Sequence, residues 1–162
     1  MSIKETVSPE QWQALFNTPS AACVYVSLAN GSGFEIFKEM FSASRFIKNL
    51  PRQNKGSGYG QMVDDFLAEI KGMSLKDART YGKQYQSKDL AGILAEAKQI
   101  VAEGAAVASA LPGGDGYKCW ILDMARNLAM TKTGGFMGFG GVSVIDDKEQ
   151  AALAELKAIL GV

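Results

Sequence analysis

The chain has 162 residues, enough for one domain with its own core. Apolar residues make up 47% of it and charged residues 21%, a globular balance that excludes a disordered chain. Seventeen basic and seventeen acidic residues leave no net charge, which removes the bulk electrostatic drive toward nucleic acid; the absence of histidine excludes histidine-activated nucleophiles, His-ligated zinc and phosphorelays.

In chain order, MSIKETVSPEQWQ has no apolar core of a secretory signal. Ser8-Pro9-Glu10-Gln11 is a helix start: a capping serine, a proline at the first helical position and a glutamine three residues past the cap. Trp12, Leu15 and Phe16 supply the apolar stripe. Thr18-Pro19 repeats the start signal, so the spacing predicts a stop near Asn17 and a second helix at once. The following SAACVYVSLA is β-branched enough for a buried strand, yet no partner strand is in view, and helix is preferred. Its nine-residue apolar run, 21–29, is too short to span a bilayer as a helix.

Asn30–Gly33 is a turn, and FEIFKEMFSASRFIKNL then reads as one helix ending at Pro51. PRQNKGSGYG is loop. Met62, Val63, Phe66, Leu67 and Ile70 mark a short amphipathic helix, and Ser74 caps another over 75–82. From Ser87, the positions Leu90, Leu94, Ala97, Val101, Gly104, Ala108 and Leu111 make an unbroken heptad seam. The seam narrows at Gly104–Ala106, where another backbone can come close. Pro112-Gly113-Gly114 ends it. The next helix carries Tyr117, Trp120, Ile121, Met124 and Leu128. Asp146 with Glu149 is a capping box for a terminal helix closed by Gly161.

These elements predict an all-α fold: a multi-helix bundle of about seven helices in a single domain over 1–162, with at most one short extended segment near 141–144. A Gly-rich connection at 134–141 precedes the last helix. Cys23 and Cys119 both lie in apolar helical patterns and read as two buried thiols.

The stretch TGGFMGFGGVSVID, 133–146, holds five glycines in fourteen positions. Glycines before a helix can cradle a phosphate, but neither GxxxxGK[ST] nor GxGxxG is present, and Asp146 and Asp147 would repel an anion. Phe136, Met137 and Phe139 are therefore read as side chains that pack on the bundle or, if exposed, dock into a second subunit or another protein. Asp65 and Glu69, one helical turn apart, are candidates for acid–base or metal chemistry; a solvated face is the simpler reading, and neither a metal site nor a cofactor is assigned. Arg45, Lys48, Arg52 and Lys55 form a locally basic run suited to an anionic partner or to helix-end charges. Phe37, Phe41, Trp120 and Met124 could line a pocket for a small apolar ligand.

SPEQW near the start and GGFMGFGGVSVIDDKEQAALAELKAILG at the end resemble a family of small bacterial all-helical proteins with a GGFxGFGGV segment before a capped terminal helix. The resemblance implies a bacterial, cytoplasmic, all-α protein and no particular activity. Ile145, Asp146 and Glu149 are also similar to the second half of the Asp-Gly-x-Ile-Asp-x-x-Glu turn of tellurite-resistance-type helical domains. Val142 and Ser143 stand where that turn has Asp-Gly, so its metal-contributing aspartate is missing here. The function expected is non-enzymatic binding, through self-association or docking to another protein. The alternatives are a carrier of a small apolar ligand and a carboxylate-based metal or stress-resistance domain. Nucleic acid and a membrane span are not expected.

Overall fold

The structure, a computed structural model, describes residues 2–50, 56–130 and 146–162. The fold is all-α: these residues contain nine helices and no strand. They are α1 (Ile3–Thr6), α2 (Pro9–Ser27), α3 (Phe34–Met40), α4 (Ala43–Lys48), α5 (Gln61–Gly72), α6 (Leu75–Tyr81), α7 (Leu90–Ser109), α8 (Gly114–Ala129) and α9 (Asp147–Leu160). The Gly-rich connection at 134–141 and the extended segment expected near 141–144 lie outside the described residues.

Helix α2 is the axis of the molecule. Ser8 and Gln11 close its capping box, with Pro9 at the first position. Every residue from Leu15 to Val26 is buried, as a helix surrounded on all sides requires. Helices α4, α6, α7, α8 and α9 all pack against it. This corrects the two-helix reading of 9–29: Pro19 sits inside α2 without ending it.

A proline there has no N–H for the carbonyl of Leu15, one turn back, and such a loss ordinarily kinks or breaks a helix. Tyr117, from α8, donates its hydroxyl to that carbonyl at 2.6 Å. Tertiary structure supplies what the local sequence removes, and local punctuation could not reveal it.

The α2–α7 contact depends on glycine. A Cβ at Gly104 would lie 1.7 Å from Thr18 Oγ1, 2.9 Å from its Cβ and 3.1 Å from its Cγ2. Both branches of the threonine face the glycine, so no rotamer relieves the overlap. The close approach expected at the narrow end of the heptad seam is present, with Ala97, Val101 and Ala108 also buried. Asp89, rather than Ser87, caps this helix by accepting from Gly92 N at 2.6 Å.

The predicted helix over 34–50 is two helices. Phe41 and Ser42 take extended backbone, and the Ser42 hydroxyl accepts from Arg45 N to start α4. A serine that can cap competes with helix continuation. Asp146 caps α9 as predicted, accepting from Glu149 N at 2.8 Å, while Asn30 donates to its second oxygen. Tyr25 and Lys98 both donate to Glu155, fastening α9 to α2 and α7.

Among the described residues, nearly all the buried apolar side chains belong to one cluster, centred on rings. Trp12 packs on Phe66, and Phe66 on Tyr117 and Trp120, with centroids 5.5–5.7 Å apart. Cys23 is buried and desolvation pushes its thiol up, but Cys119 is exposed, which corrects the expectation of two buried thiols. It points away from the face of α8 that carries Tyr117, Ile121 and Ala125 into the core.

Candidate functional site

A cleft of about 670 Å³ lies between α3–α4 and the non-helical segment that follows α6. Its position follows from three local arrangements. First, Phe37 and Phe41 stack at 4.7 Å across the end of α3, and Tyr85 meets both edge-on at 5.8 and 5.7 Å. The break at Ser42 brings the α4 N-terminus to the same place, where the Ser42 and Ser44 hydroxyls are 2.9 Å apart.

Second, the buried Asn17 ties the segment after α6 to α2. Its amide donates to the carbonyls of Gln13 (2.9 Å) and Tyr81 (2.8 Å), and its oxygen accepts from Lys83 N (2.8 Å). Third, the Glu96 carboxylate on α7 accepts from Gln86 N at 2.9 and 3.1 Å and from Ser87 N at 2.8 Å. Backbone groups that a strand or helix would satisfy are met here by two side chains. A segment without secondary structure is thereby fixed at both ends.

The cleft is basic. Lys38, Arg79, Lys83 and Lys88 line it, and no Asp or Glu does. Lys38 is paired with Glu35 at 3.0 Å and lies over the Phe34 ring. Among the described residues, Arg79, Lys83 and Lys88 have no carboxylate within ion-pair distance. The segments outside the described residues carry no Asp or Glu in their sequence. Tyr85, whose ring closes the aromatic side, has a phenol pushed up by burial and by nearby Glu96 and Cys23.

The residues singled out from sequence fall in several places. Phe37 and Phe41 line the cleft. Trp120 packs instead with Phe66 and Tyr117, and Met124 lies against the core on the same helix, so the four do not meet in the cleft. Phe136, Met137 and Phe139 lie outside the described residues, as do Arg52 and Lys55. Lys48 donates to the carbonyls of Ile70 and Met73 and so closes the C-terminus of α5. Asp65 accepts from Gln61 at 2.6 Å, and Glu69 is half-buried on the next turn. Among the described residues, no three Cys, Asp or Glu side chains are grouped to hold a metal ion, and no helix is long and apolar enough to cross a membrane.

Sequence reasoning passed over Arg79, Lys83 and Lys88. Their signal was available: residues 78–88 contain three cations and no acid. Against protein-family models, curated proteins and solved structures, the chain gives no match.

Proposed function

We propose that this protein acts by binding, without catalytic chemistry, and that it holds a small molecule in the cleft between α3–α4 and residues 79–88. The observation that carries the reading is a cleft of about 670 Å³ with an aromatic side and an unneutralised basic side. Its volume suits a small molecule, and pockets of this kind pair apolar surface with a few polar groups. Asn17 and Glu96 support it further, because a site fixed before binding has less ordering to lose.

The test is a cleft-filling variant. Gln84 lines the cleft and its side chain makes no hydrogen bond to the described residues. Native mass spectrometry of freshly purified wild type is expected to show added mass that Gln84→Trp loses while its circular dichroism stays helical. Equal added mass in both proteins would place the ligand elsewhere, and no added mass in either would count against a resident ligand.

Self-association is the second reading. Ile36 and Met40, one turn apart on α3, are 47% and 63% exposed. An exposed apolar pair on the helix that also carries Phe34 and Phe37 suits a second copy of this chain. Phe136, Met137 and Phe139 are the sequence candidates for the other half of the contact. Light scattering after size exclusion is expected to give a dimer that Phe136→Ser/Phe139→Ser converts to a folded monomer. A monomeric wild type would end this reading.

A further inference from the structure

The charge of the cleft narrows the ligand class, an inference that rests on the binding reading above. We infer that the cleft takes an organic anion: an apolar body of aromatic size against Phe37, Phe41 and Tyr85, and an acidic head met by Arg79, Lys83 and Lys88. This local surplus of cations stands in a chain whose total charge is zero. Elsewhere Lys98 is met by Glu155, Lys118 by Asp115 and Arg126 by Asp123.

Two features separate this site from a solvated charge run. The three cations come from one stretch, 79–88, that Asn17 and Glu96 fasten to the two central helices, so their backbone positions are fixed. The opposite side is a three-ring cluster, which a free inorganic anion would leave unused. Phosphate or sulfate alone would satisfy half of the cleft, and a neutral hydrocarbon the other half. A molecule bearing both parts satisfies it whole. Arginine adds a planar donor fork that matches carboxylate, sulfonate or phosphate oxygens.

The experiment compares two fluorescent probes with the same aromatic body, 1-anilinonaphthalene-8-sulfonate and the uncharged N-phenyl-1-naphthylamine, on the full chain. The anionic probe is expected to bind about tenfold more tightly, from the summed contribution of several exposed charge contacts, and to weaken as salt is added. Arg79→Gln/Lys83→Gln/Lys88→Gln is expected to remove that preference and to leave the neutral probe within about twofold. Phe41→Ala is expected to weaken both. An unchanged urea midpoint in the triple variant keeps a folding defect from passing as a binding effect. Equal affinity for the two probes in wild type, with both lost in Gln84→Trp, would overturn the anion class and leave the binding reading standing. Failure of both probes to bind, or binding unaffected by Gln84→Trp, would overturn both.

Discussion

Pro19 and Tyr117 should be energetically coupled, and a double-mutant cycle tests this. Tyr117→Phe removes one oxygen from a fully buried side chain and leaves its ring in place. The Leu15 carbonyl then has neither an N–H from residue 19 nor the hydroxyl that now reaches it at 2.6 Å. A buried acceptor left unsatisfied costs about 1–3 kcal/mol. In a Pro19→Ala background, the alanine supplies the missing N–H, and the same Tyr117→Phe change should cost about 0.5 kcal/mol or less. The predicted coupling is therefore roughly 1–2 kcal/mol, well above the ~0.5 kcal/mol within which unconnected sites add. Urea unfolding followed by far-UV circular dichroism, on wild type, the two single variants and the double variant, measures it directly. The slopes must agree across the four proteins for the midpoints to be compared. If Tyr117→Phe costs the same with proline as with alanine at position 19, the hydroxyl is not what lets α2 run through Pro19.

Gly104→Ala should destabilise by about 1–3 kcal/mol despite the better helix propensity of alanine, because its Cβ overlaps Thr18, and adding Thr18→Ala, which removes the oxygen and methyl overlaps but keeps the Cβ at 2.9 Å, should recover part of the loss. Asn17→Ala, by leaving the Lys83 N–H without its partner and the Tyr81 carbonyl with only the longer 3.4 Å bond from Gln13, should cost about 1–3 kcal/mol and raise amide exchange selectively across 81–89. Asp146→Ala should lose about 1 kcal/mol with the α9 cap. The Glu149 N–H and the Asn30 amide hold the Asp146 carboxyl below its ordinary value, so its contribution is present above the unfolded carboxylate range and lost as pH falls through the lower folded value. Glu149 acts in the opposite sense: burial raises it, so its contribution is present below the ordinary glutamate value and lost as pH rises through the higher folded value. Urea midpoints of wild type and Asp146→Asn should therefore differ in their dependence on pH on the acid side, and parallel curves would contradict the assignment.

What was legible in the sequence depended on how local its cause is. The capping boxes at Ser8–Gln11 and Asp146–Glu149, the cap at Ser74 and the seam of α7 are written within a few residues, and each was readable. Pro19 and Thr18 show the limit. As local symbols they spell a helix start, but a tyrosine 98 positions on and a glycine 86 positions on decide otherwise. The break at Ser42 failed in the reverse direction, since an apolar period across 34–47 outweighed a serine able to cap. The cleft was half legible. Phe37 and Phe41 stood out as rings at helical spacing, whereas Arg79 sits at the end of a short helix and Lys83, Tyr85 and Lys88 lie in a stretch with no period to read. Trp120 was joined to them by residue type alone, and the fold gives it to Phe66 and Tyr117.

The same contrast between local and distant causes holds in the cleft. A cationic loop held only by its neighbours would sample many shapes, and any ligand would have to order it on binding. Here the loop's backbone donors at 83, 86 and 87 and its acceptor at 81 are taken by Asn17 and Glu96, which stand on the two most central helices. The ring of Tyr85 is packed between those ends on Phe37 and Phe41. The side chains of Arg79, Lys83 and Lys88 are left free to point and exchange while their origins are fixed. Losing a cation should change affinity for anions and nothing else, whereas losing Asn17 should change affinity for charged and neutral probes together. Those two signatures distinguish a recognition group from a support, and a cleft in which Asn17→Ala altered only the anionic probe would not be built in this way.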